Sequence, residues 1–293
     1  MKNISTFSIV ARDPLTGELG IAVQSKFLAV GSCVPWAKAD VGAIATQAMA
    51  NLDFGKFGLE MLEKGSSAQE TLEYLKNTDP DIEQRQFGIV DANGGSATFT
   101  GNKCFDYAGG ISEENLACQG NILVSEETVK ALASTFKSAE GTLARRLVLA
   151  LDAAQNAGGD RRGRQSASLL VVKKNGSYGG YNDRYIDLRV DDDPDPIKKL
   201  SDLLDLYEMY FNKTKEEDKL ILDSKLIETM QNALTQLGYY QGPITGIYDD
   251  PTLSAYLAFC GWENFEERIN DGNIVDRSVI KALIDKAVNR MND

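Results

Sequence analysis

Apolar and polar residues alternate through Ser5-Thr6-Phe7-Ser8-Ile9-Val10-Ala11, placing Thr6, Ser8 and Val10 on one strand face and Phe7, Ile9 and Ala11 on the other. Arg12 to Gly20 has turn chemistry, an Asp-Pro and a Thr-Gly pair, and leads back into Ile21-Ala22-Val23-Gln24-Ser25. The chain therefore opens with a predicted hairpin. Val41 to Met49 predicts another strand, followed by a helix around Gly55 to Glu63. From Ser66 to Asn77, a good N-cap precedes helical spacing of Ala68, Leu72 and Leu75. Runs at 86–91 and 96–100 flank Ala-Asn-Gly-Gly, a hairpin signal. A strand near Ala117 to Leu123, helices at 125–136 and 142–157, and a strand at 166–172 complete this region. Strands come in adjacent runs separated by helical pairs, a pattern of antiparallel sheets covered by helices.

"DDDPDP", Asp191 to Pro196, is a charged, proline-punctuated break. Beyond it, Ile197, Leu200, Leu203, Leu204 and Tyr207 predict a connecting helix. The predicted division is a large domain at 1–190, a charged linker with the connecting helix at 191–224, and a small helical domain at 225–293.

Composition narrows the function. A net charge of −12 disfavours nucleic acid, because phosphate neutralisation needs a basic face. Histidine is absent, which removes Ser-His-Asp and Cys-His catalysis and the commonest metal ligand. Cys33, Cys104, Cys118 and Cys260 show no metal-like spacing and read as core thiols. The reading therefore calls for no metal and no cofactor. No apolar run reaches the ~18 residues of a membrane helix. The first residues meet Arg12 and Asp13 too early to hold a signal-peptide apolar region, so a reducing cytoplasm is the expected location.

One stretch raises a specific question. "GGDRRGRQSASLLVV", Gly158 to Val172, delivers three arginines and an aspartate to the mouth of a buried strand. A polar loop entering a core strand needs no function beyond solubility, and the alternative is one wall of a binding cleft.

Four motifs bear on that choice: "TFSIVARDPLTGELGIAVQSKFLAVG", "VPWAKADVGAIATQAMAN", "CQGNIL" and "GGDRRGRQSASLLVV". Together they make residues 1 to about 190 resemble a bacterial family of unknown function within the N-terminal-nucleophile hydrolase superfamily. The resemblance implies an α+β fold, a four-layer αββα sandwich with two antiparallel sheets face to face between helical layers. It also implies amide hydrolysis without histidine, in which a Thr, Ser or Cys at a free N-terminus attacks a carbonyl and its own α-amine takes the proton.

Carried onto this sequence, the resemblance makes Thr6 the nucleophile, Lys38 the amine-tuning cation and Asn121 an oxyanion donor. Asp160 and Ser166 become supports of the terminal amine. Arg162 or Arg164 would bind an anionic group, and Ser25, Gln47 and Asn51 would line the cleft. Each has a structural competitor. Thr6 is also a plain strand threonine, Lys38 a solvated lysine, Asn121 a turn residue and Asp160 an ion-pair partner that orders its loop. Gln47 and Asn51 equally suit backbone groups at a strand-to-helix turn. "MKNIS" precedes Thr6, so a free Thr6 amine requires cleavage after Ser5; without it the fold is expected to serve as a silent ligand-binding or assembly scaffold.

Leu226 to Phe259 resembles peptidoglycan-binding domains through Leu237-Gly238-Tyr239-Tyr240, Gly246, Tyr248, Thr252 and Ala255. Tyr239, Tyr240 and Trp262 either offer stacking faces to a sugar or peptide or build a three-helix core. The expected partners are a small-molecule or peptide-like substrate and peptidoglycan fragments, with no nucleic acid and no membrane. A homo-oligomer is among the open assembly states.

Overall fold

The structure, a computed structural model, describes residues 6–290. The chain is a mixed α+β protein that forms two compact units, one running to Leu204 and the other starting at Asp205. The "MKNIS" segment lies outside the described residues.

The larger unit begins with β1 (Thr6–Arg12), β2 (Leu19–Ser25), β3 (Pro35–Lys38) and β4 (Gly42–Ala48). Helices α1 (Asp53–Glu63) and α2 (Ala68–Thr78) follow, then β5 (Arg85–Asp91), β6 (Ser96–Thr100), β7 (Gly109–Glu113) and β8 (Leu116–Asn121). Next come α3 (Glu127–Ser138), α4 (Leu143–Asn156), β9 (Ser166–Val172), β10 (Arg184–Val190) and α5 (Pro196–Phe211), and α5 crosses from one unit into the next. Six strands pair in the order β10-β9-β2-β1-β8-β7 and four in the order β3-β4-β5-β6, every ladder antiparallel.

Strand periodicity explains the packing. Val10, Ile21, Val23 and Leu170 of the six-stranded sheet cluster with Ala43, Ala45 and Val90 of the four-stranded one. The alternate residues turn outward: Gly20 lies directly beneath Leu143 and Leu147 of α4. Ile44, Phe87 and Ile89 face the other way, onto Phe54 and Leu62 of α1 and Leu72 and Leu75 of α2. Both sheets are thus apolar on two faces, which is why their strands read as nearly continuous hydrophobic runs. The α2 helix starts at the N-cap Ser67, whose side chain and that of Glu70 cap each other's backbone N–H groups.

Strands β3, β7 and β10 were not expected from the residue pattern. β3 has only four residues, β7 is glycine-rich and polar, and β10 carries Arg184, Asp187 and Arg189; β7 and β10 are the two edges of the six-stranded sheet while β3 is an edge of the other. Edge strands carry charge and short length as protection against further pairing, which erases the hydrophobic signal.

The turn between β4 and α1 is held by a buried carboxylate. Asp79 accepts from Arg85 Nε at 2.9 Å and from Asn51 Nδ2 at 2.8 Å, and Arg85 Nη1 reaches the Met49 carbonyl at 2.6 Å. Burial by itself pushes the Asp79 carboxyl upward, but Arg85, Asn51 and the Asp81 N–H bind the charged form and hold it below its ordinary value. A lowered folded-state pKa contributes stability above the unfolded value of about 3.9, and that stability is lost as pH falls through the folded-state pKa. Melting temperatures measured from pH 6 downward are therefore expected to converge for the wild type and Asp79→Asn at acid pH. Parallel curves would refute the assignment.

The smaller unit contains β11 (Lys219–Ile221), α6 (Ser224–Leu237), α7 (Asp250–Trp262), β12 (Ile274–Asp276) and α8 (Arg277–Arg290). Its core gathers Met230, Leu234, Phe259, Val279 and Leu283 from the three helices. Buried Gln231 explains the residues after the Leu-Gly-Tyr-Tyr turn. Its Oε1 accepts from the N–H groups of Thr245 and Gly246, and its Nε2 donates to Thr252 Oγ1 at 2.9 Å. Gly246 has a φ of 68°, a conformation glycine adopts without strain.

Candidate active site

The strand register brings four of the sequence-selected residues into one row. Thr6 pairs with Asn121 of β8 on one side and Ser25 of β2 on the other, and Ser25 pairs with Ser166 of β9. Directly paired residues share a sheet face with neighbouring Cβ atoms about 5 Å apart. Asn121, Thr6, Ser25 and Ser166 thus stand side by side at one end of the six-stranded sheet, all buried. Thr6 Oγ1 donates to Ser25 Oγ at 3.2 Å. Ser166 Oγ accepts from the Val30 N–H at 3.1 Å and donates to the Phe27 carbonyl, pinning the chain after β2 over the row.

A polar layer lies beneath it, between the sheets. Gln47 Nε2 donates to the Thr6 carbonyl at 3.3 Å and to Gln86 Oε1 at 2.8 Å, while Gln47 Oε1 accepts from Ser8 Oγ at 2.7 Å. Gln86 Oε1 also accepts from Asn121 Nδ2 at 2.8 Å, and Gln86 Nε2 donates to the Gly120 carbonyl at 2.7 Å. Gln119 Nε2 donates to Ser8 Oγ at 2.6 Å. Polar groups this deep are stable only when mutually satisfied, and a satisfied network fixes the orientation of its members. Sequence reasoning missed Ser8, Gln86 and Gln119. The available signal was a glutamine or serine recurring at inward positions of otherwise apolar strands.

Gly88 makes room for this layer: a Cβ there would come within 2.0 Å of Gln119 Oε1. Gly88→Ala is expected to cost about 1–3 kcal/mol in chemical denaturation, as other overpacked cores do. An unchanged midpoint would mean that the layer is looser than it looks.

Asp160 sits beside the row rather than in it. Its carboxylate accepts from the Lys26 N–H at 2.9 Å, the Arg162 N–H at 2.9 Å and the Arg162 guanidinium at 3.2 Å. Since Lys26 follows Ser25, this clamp fixes the end of β2. The charged loop is otherwise spent on the acidic break: Arg164 pairs with Asp195 at 2.8 Å, and Gln165 donates to Asp192 at 3.0 Å. Both arginines considered for anion binding are therefore already paired with carboxylates.

Lys38 is not brought to the row. It pairs with Gly42 at the opposite end of β4 from Gln47, the residue that touches Thr6, and those five residues of strand span roughly 17 Å. Its ammonium is paired with Glu63 of α1 at the surface. The proposed tuning of a Thr6 amine by Lys38 therefore fails on distance. Asn51 is likewise a turn residue: its Nδ2 bonds Asp79 and its Oδ1 accepts from the Asp53 N–H at the start of α1.

Burial pushes the Cys104 thiol up to about 11 and the Cys118 thiol further, away from the reactive thiolate. Among the described residues no group of three or more Asp, Glu or Cys side chains is arranged to hold a metal ion. Among the described residues no helix is long and apolar enough to cross a membrane.

The comparisons with known proteins agree with the two-unit description. Residues 6–200 match the model described as "Family of unknown function (DUF1028)", and residues 210–283 match "Putative peptidoglycan binding domain". The crystal structure of protein SPO2555 from Silicibacter pomeroyi, which carries the DUF1028 family model, is similar at 30% identity and a TM-score of 0.64. That match covers 70% of this chain and 89% of the other. No curated protein matches the chain. With its family model spanning the whole row from Thr6 to Ser166, the chain belongs to the DUF1028 family.

Proposed function

We propose that the larger unit is a four-layer αββα sandwich of the N-terminal-nucleophile type and that it hydrolyses a small amide or peptide-like bond at Thr6. The observation that carries the reading is the row Asn121–Thr6–Ser25–Ser166, a hydroxyl nucleophile flanked by an amide donor and two further hydroxyls at one sheet end. The sandwich is supported by α4 lying on one sheet while α1 and α2 lie on the other.

In this reading, cleavage after Ser5 frees the Thr6 α-amine, whose ordinary pKa of about 8 suits a general base near neutrality. Thr6 Oγ1 attacks the substrate carbonyl carbon and its proton passes to the amine. Asn121 stabilises the oxyanion, the C–N bond breaks, and the leaving amine departs with the proton. Water then hydrolyses the Thr6 ester. Asp160 acts as a positioning residue through the Ser25–Lys26 turn, and Lys38 takes no part.

A second role follows from the match over 210–283: the smaller unit binds peptidoglycan fragments. The test compares the full chain with a chain prepared to begin at Thr6, assaying amine release from small amides and from muropeptides. Release by the Thr6-starting chain alone supports the proposal. Release by neither leaves a ligand-binding protein on the same fold.

A further inference from the structure

The smaller unit has a groove of about 360 Å³ where the C-terminal ends of α6, α7 and α8 meet, lined in part by Tyr239, Trp262, Lys286, Asn289 and Arg290. The aromatic residues of this region divide cleanly. Tyr240 is buried and donates its hydroxyl to the Pro243 carbonyl, so it belongs to the core. Tyr239 is half-buried and meets Phe259 edge-on, with centroids 5.8 Å apart. Trp262 is 78% exposed, a large indole contributing almost nothing to the fold it sits on.

The charges of the groove run against those of the chain. In a protein of net charge −12, this groove holds two cations and one carboxylate. Glu263 is taken by Lys286. Arg290 donates one N–H to the Leu237 carbonyl at 2.6 Å, capping α6, and has no carboxylate partner among the described residues. Its guanidinium therefore has charge and further donors to offer a ligand.

We infer that this groove binds a carboxylate-bearing saccharide, with Trp262 stacking on a sugar ring, Arg290 pairing with the carboxylate and Asn289 bonding a hydroxyl or acetamido group. The inference rests on the peptidoglycan-fragment reading of the smaller unit and adds its location and its dependence on an acidic group. Because Trp262 is exposed, its removal is expected to leave the melting temperature unchanged, so a binding defect is not an unfolding defect.

The test is calorimetric titration of the full chain, Trp262→Ala and Arg290→Gln with soluble muropeptides from muramidase-digested peptidoglycan, and with chitotetraose as a sugar lacking carboxylates. Trp262→Ala is expected to weaken muropeptide binding at least tenfold. Arg290→Gln is expected to weaken muropeptide binding about tenfold while leaving chitotetraose unchanged. Muropeptide binding that persists in both variants overturns the location while sparing the peptidoglycan reading. Equal binding of both ligands by the wild type overturns the carboxylate requirement. Failure of the wild type to bind either ligand overturns the inference together with the reading beneath it.

Discussion

In a chain that begins at Thr6, Thr6→Ala is expected to lower amide hydrolysis by on the order of 10⁴-fold, because it removes the attacking oxygen while leaving substrate contacts in place. Thr6→Ser should retain most of the rate, since it keeps the hydroxyl and the amine. Lys38→Ala should stay within about twofold of the wild type, because its ammonium is held by Glu63 at the far end of β4. Steady-state kinetics on one amide substrate reads all three. A collapse of the rate in Lys38→Ala with Thr6→Ala unaffected would reverse the assignment.

Gln86→Leu is expected to destabilise the larger unit by about 3–5 kcal/mol. The residue joins Gln47, Asn121, Thr100 and the Gly120 carbonyl. Its loss strands several buried groups at roughly 1–3 kcal/mol each. Equilibrium urea unfolding measures the loss, and a change below about 1 kcal/mol would show that water or rearrangement replaces the glutamine. Catalysis should suffer as well, because Gln86 orients Asn121 and, through Gln47, the Thr6 carbonyl.

What could be read from the residues alone follows from where each signal is stored. The β1–β2 hairpin and β9 were legible because burial on both faces writes long apolar runs, and α2 because its cap is local in sequence. Edge strands β3, β7 and β10 were not, since exposure and charge hide their period. Thr6, Ser25, Asn121 and Ser166 came together because Thr6 and Ser166 begin their strands and Ser25 and Asn121 close theirs at the same sheet end. Lys38 failed because distance from Thr6 depends on which end of β4 it pairs with, a property of register that chain order does not carry. Gln86 and Gln119 escaped notice because a buried glutamine looks unfavourable until its partners on another strand are known. The arginine-rich loop looked like a substrate wall, yet Arg162 is held by Asp160 within the loop and Arg164 by Asp195 of the acidic break, pairings visible only after folding.

N-terminal sequencing with intact-mass measurement of the protein purified from its natural host decides whether Thr6 becomes the chain's first residue. The expected product is a chain shortened by "MKNIS" that reads Thr-Phe-Ser-Ile-Val from its free amine. A homogeneous chain that retains residues 1–5 would contradict it, because the Thr6 nitrogen would then be an amide unable to accept the proton.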